Sequence, residues 1–199
     1  MRETGLRVWR VTGMAALAMT GLSVAGGAAR HDGTAHYAAC IRNHIRWEEF
    51  PIAVYFERNR QYSPARRNSA MRGFDRWTGA SGGFVRYRVT DDREEAQLTV
   101  RFDPSTNDGY TTTNFTDGLI TSAAMRIGVK RGEGPDMEAI AAHEFGHALG
   151  IDGHSTVKAD LMYPVHHMGT PWRVTCRDLN TLATIYPPIG AKVAGESTP

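Results

Sequence analysis

The chain has 199 residues, of which 41% are hydrophobic and 22% charged. That balance excludes a disordered chain and fits one globular domain with short appendages. Lysine and arginine total 23 against 21 acidic residues, a net charge of +2, so the footprint of a nucleic-acid binder is missing. Two cysteines can make one bridge but neither a disulfide scaffold nor a four-thiolate metal site.

Residues 1–29 read as a secretory signal peptide. Arg2, Arg7 and Arg10 precede an uncharged run from Val11 to Val24, and small residues cluster from Ala25 to Ala29. The apolar run is too short for a membrane span and right for a cleaved leader. Cleavage near Ala29 takes away three arginines and one glutamate, which leaves a formally neutral remainder. The expected location is secreted or extracellular, or periplasmic, with no stable membrane insertion. In such a compartment Cys40 and Cys176 are expected to pair, with a zinc-blocking Cys40 thiolate as the alternative.

Residues 30–49 show little periodicity and read as an N-terminal arm. Phe50, Ile52, Val54 and Phe56 alternate as in a half-buried strand. Ser63-Pro64 then opens a helix whose apolar face carries Ala70, Met71, Phe74 and Trp77, with Gly79 as its stop. Alternation returns at Val85–Val89 and at Ala96–Phe102. The polar run Asp103–Gly118 reads as a loop enclosing at most a short strand, and Ala123–Val129 alternates again. A second helix is expected from about Asp136 to Leu149, stopped by Gly150. A third begins near Thr175, whose hydroxyl can cap it with Asp178 three residues on, and ends at Pro187-Pro188. Residues 50–188 thus form one mixed α/β (α+β) domain of about five strands and three helices, and 189–199 form a flexible tail. A monomer is expected.

The chemistry concentrates in HEFGHALGIDGHS, from His143 to Ser155. His143 and His147 lie four apart on the expected second helix, so their imidazoles leave the same face and can share one Zn²⁺. Glu144 projects further round, where it can act as general base toward water. Gly150 lets the chain reverse, and His154 brings a third donor back, the ligand count of a catalytic zinc site. Three residues separate Gly150 from His154, which leaves the carboxylate of Asp152 as a rival third ligand.

HEFGHALG, the third His, and Leu161-Met162-Tyr163-Pro164 together resemble the metzincin zinc endopeptidases, and within them the matrixins. The phrase HSTVKADLMYP strengthens the likeness, which extends more weakly over about Pro51 to Tyr186. The resemblance implies a metzincin-like twisted mixed sheet, an active-site helix, and a turn that places Met162 beneath the metal. It also implies a protein or peptide substrate, and a pocket wall near His166 and His167. The loop is one residue longer than the usual metzincin pattern. Ca²⁺ has no specific motif here, although oxygens of the Asp103–Gly118 run are available. The alternatives to a peptidase are a secreted zinc-binding module without catalysis, and a zinc hydrolase of a non-peptide bond.

Overall fold

The structure is a computed structural model, and it describes residues 4–8, 35–130, 134–165 and 173–187. Six strands form one mixed sheet in the order β1-β5-β6-β4-β2-β3. They are β1 (Thr4–Val8), β2 (Ile52–Phe56), β3 (Tyr87–Val89), β4 (Leu98–Asp103), β5 (Gly109–Thr116) and β6 (Leu119–Gly128). Strands β3, β2, β4 and β6 run parallel, whereas β5 is antiparallel to β6 and β1 antiparallel to β5. The helices are α1 (Pro64–Ala80), α2 (Pro135–Ala148) and α3 (Cys176–Ile185). The expected α/β architecture of three helices on a mixed sheet is therefore present. Its five expected strands are joined by β1, from the stretch read as a leader.

Local chemistry explains most boundaries. The Ser63 hydroxyl caps α1 by accepting from the Arg66 N–H at 3.1 Å, with Pro64 in the first turn. Thr175 and Asp178 form the expected capping box of α3. In α2, Pro135 stands in the first turn beside Asp136 and Glu138, whose charges suit the positive end of the helix dipole. Helices α1 and α2 meet through Gly73: a Cβ there would lie 2.5 Å from the Glu138 carbonyl and 2.7 Å from the Ala142 nitrogen. The Trp77 indole N–H donates to the Ala142 carbonyl at 2.7 Å. Phe74 stacks on Phe145 with ring centroids 4.4 Å apart, so aromatic burial joins the two helices.

One expectation changes. The run Asp103–Gly118 is not mainly loop, because eight of its residues form β5. Its inward positions are Gly109, Thr111 and Thr113, all buried, so the strand carries no apolar alternation. The signal it does carry is Asp117-Gly118, both at positive φ (53° and 78°), the two-residue turn that joins β5 to β6. The arm packs into the fold. Tyr37, Ile41, Ile45 and Trp47 are buried in the same core as the sheet and helices.

The expected disulfide is not formed. Cys40 is half-buried and Cys176 exposed, and both are free thiols. Cys40 sits in a short 3-10 turn (Ala38–Cys40) with its carbonyl against Gly153, whereas Cys176 opens α3 facing solvent. Among the described residues, no helix is long and apolar enough to cross a membrane. Most of the leader, and the tail 189–199, lie outside the described residues.

Candidate metal centre

Helix α2 brings His143 and His147 to one face, and Gly150 ends it at φ 106°, a backbone region open to glycine. The Gly150 N–H donates to the His147 carbonyl at 3.0 Å. The chain then turns back and places His154 over the other two imidazoles. His147 Nε2 lies 3.1 Å from His143 Nε2 and 3.2 Å from His154 Nε2. Among the described residues, these three are the one group of potential metal donors within 4.8 Å of one another.

The donor chemistry fits a cation. His143 Nδ1 lies 2.8 Å from the Leu161 carbonyl, and His147 Nδ1 lies 2.6 Å from the Ile151 carbonyl. A carbonyl can only accept, so both Nδ1 atoms carry the hydrogen, and in the neutral rings both Nε2 atoms present lone pairs. Burial also lowers the pKa of His154, which favours its neutral form. Two lone pairs and the Nε2 of a third imidazole that meet at this range suit a metal ion, and an all-imidazole set suits zinc.

Asp152 does not join them. Its carboxylate, 1% exposed, accepts from the arm: Arg42 N–H at 2.7 Å, Asn43 N–H at 3.2 Å and Asn43 Nδ2 at 2.7 Å. Of the two candidate third donors, His154 is the one brought to the histidine pair.

Glu144 is fully buried behind β5. Its Oε2 accepts from the Thr111 hydroxyl at 2.8 Å, and the Gly109 backbone lies so close that a Cβ there would collide with the Glu144 side chain. Its Oε1 has no hydrogen-bond partner. Burial pushes the Glu144 carboxyl up to about 8; the Thr111 bond opposes that rise and the charge of Asp108 adds to it. A carboxyl with one oxygen anchored and the other free is equipped to take and return a proton.

Met162 is fully buried beneath α2. A Cβ on Gly146 would collide with its sulfur and approach the Trp77 ring to 2.8 Å, so the glycine inside the HEFGH motif is the seat for this methionine. Asp178 holds the turn from behind, accepting the N–H groups of Leu161 (2.9 Å) and Met162 (3.2 Å) and the Tyr37 hydroxyl (2.6 Å). Asp160, also buried, accepts from Ser155, from Thr175 at 2.8 Å and from Arg177 at 3.0 Å. Tyr163 follows, half-buried, while His166 and His167 lie outside the described residues.

Thr111 and Gly109 were invisible as site residues because their stretch reads as loop. The Asp117-Gly118 turn would have revealed their strand, although nothing local marks their contact with Glu144.

Residues 122–187 match the family model described as Matrixin. Human matrix metalloproteinase-25 is 43% identical over 64 residues, which are 30% of this chain and 11% of that relative. This chain thus aligns with a small part of the relative's length. The match supports a zinc metalloendopeptidase kind of function. It spans the helix, the return loop and the methionine beneath them, and over that span the chain is similar to the matrixins.

Proposed function

We propose that the chain is a secreted zinc endopeptidase with His143, His147 and His154 as ligands and Glu144 as general base. The observation that carries this reading is the convergence of three Nε2 atoms, with the Nδ1 bonds of His143 and His147 leaving their lone pairs turned toward one another. Bound there, zinc supplies Lewis acidity, which brings the pKa of water toward about 7 and polarises a scissile carbonyl. The three imidazoles bind and orient. Glu144 takes on Oε1 a proton from the water whose oxygen bonds to the scissile carbonyl carbon, while Thr111 holds Oε2 still, and returns it to the amine nitrogen as the C–N bond breaks. Met162 closes the space below the imidazoles to water.

The substrate runs as an extended peptide along β5, the strand that touches Glu144, and gains main-chain hydrogen bonds at its edge. In this chain β1 lies on that edge, with Val8 opposite Thr112 and Thr4 opposite Thr116. Cleavage near Ala29, part of the same proposal, removes β1 and opens the edge of β5 to substrate.

The test is a fluorogenic peptide pool incubated with residues 30–199, with and without a zinc chelator, beside Glu144→Ala. The expected outcome is cleavage that the chelator stops and zinc restores. Glu144→Ala is expected to bind one zinc per chain and cleave at least about 100-fold more slowly. A chain that binds zinc and cleaves no member of the pool supports the non-catalytic module instead.

A further inference from the structure

His154 stands in irregular backbone. Its neighbours on α2 are fixed by helix geometry, but a loop ligand must be held in place by contacts made from outside the loop. One such contact lies behind the site. From Cys40 to Trp47 the N-terminal arm runs across residues 148–153 in close backbone contact. The Ile45 carbonyl occupies the space a Cβ on Gly150 would need, and the Cys40 carbonyl does the same at Gly153. The Trp47 indole N–H donates to the Ala148 carbonyl at 2.8 Å. Between these points Asp152 takes its three bonds from Arg42 and Asn43, and no hydrogen bond of its carboxylate goes to a site imidazole.

Such a carboxylate has few alternatives. At 1% exposure it is costly to leave without donors, so the loop and the arm are held in one relative position. The longer return between Gly150 and His154 is where this matters. Its added residue gives the loop freedom, and the arm removes it.

We propose that Asp152 and Asn43 form a clamp that positions His154, so that the affinity for zinc depends on the N-terminal arm. Asp152 is then a positioning residue, acting on the metal through the loop it fixes. The inference rests on the zinc reading above and adds the element that completes the site.

Zinc affinity is measured by competition with a chromogenic chelator for the wild-type chain, Asp152→Ala, Asn43→Ala and the double variant. The visible spectrum of the cobalt-substituted proteins reports ligand geometry without any turnover. Asp152→Ala is expected to weaken zinc binding about 10- to 100-fold and to alter the cobalt spectrum. Asn43→Ala is expected to weaken binding several-fold, with the double variant no worse than Asp152→Ala, because both changes break one contact. Asn43 carries just one of the three bonds through its side chain, so this variant keeps the test open if Asp152→Ala fails to fold. Wild-type affinity and spectrum in a folded Asp152→Ala, or wild-type affinity in Asn43→Ala, would overturn the clamp. A wild-type chain that binds no zinc would overturn the metal reading itself, and the two failures are thereby distinguished.

Discussion

Thr111 carries more of the proposed chemistry than its residue type suggests. Its hydroxyl donates to a buried carboxylate oxygen at 2.8 Å, so removing it leaves Glu144 unsatisfied on both oxygens and free to rotate. Thr111→Val keeps the shape and deletes the bond. It is expected to lower kcat about 10-fold with KM and zinc content little changed, and Thr111→Ser is expected to recover most of the loss. Steady-state hydrolysis of a peptide cleaved by the wild type would show it, and an unchanged kcat would remove Thr111 from the mechanism. The histidines and Glu144 were legible at this scale because HExxH spacing has direct geometric meaning on a helix. Thr111 was not, because its partner lies 33 positions away and a threonine in a polar run carries no signal of what it will meet. Asp152 shows the converse: its type and place fit a ligand, and the arm decided otherwise.

Among the elements, the α1–α2 pair sets the platform for the site. Gly73 allows close approach, and at the rim Glu138 bridges Arg72 (3.0 Å) and Arg76 (2.6 Å). Burial raises the Glu138 carboxyl, but the bonds and charges of Arg76 and Arg72 outweigh it and hold the group below its ordinary 4.5. A carboxylate depressed in the folded state stabilises above its unfolded pKa, and that contribution is lost as pH falls through the folded value. Glu138→Gln is therefore expected to cost about 1 kcal/mol at neutral pH, with the difference from wild type vanishing in acid. Urea unfolding at pH 7 and near pH 3 checks both halves; equal stability at pH 7 would make the bridge ornamental. Helix α1 was legible from its Ser63 cap and apolar spacing, and α2 from its Gly150 stop and the spacing of its histidines. Strand β5 was hidden because its buried positions are glycine and threonine, so burial leaves no hydrophobic trace in the sequence.

The whole molecule depends on a segment that shows little periodicity in the sequence. Trp47 is 1% exposed, its indole binds the Ala148 carbonyl at 2.8 Å, and its backbone N–H donates to the Tyr186 hydroxyl at 2.9 Å. Trp47→Ala is expected to cost about 3–5 kcal/mol, read as a fall in the denaturant midpoint, whereas a loss below 1 kcal/mol would return the arm to the status of an appendage. The arm's role was not legible because its partners lie across the chain. Asn43 meets Asp152 at a separation of 109 positions, Trp47 meets Ala148 at 101, and Tyr37 meets Asp178 at 141. Those separations also govern time. Contacts between distant positions form slowly, because the intervening chain must close before they can contribute. On the ribosome the arm emerges before these partners and waits until residues 148–178 exist. The return loop cannot gain its support before then, so the metal-binding geometry matures at the end of folding. Under the proposed function, a chain exported unfolded would begin to hydrolyse peptides only on the far side of the membrane.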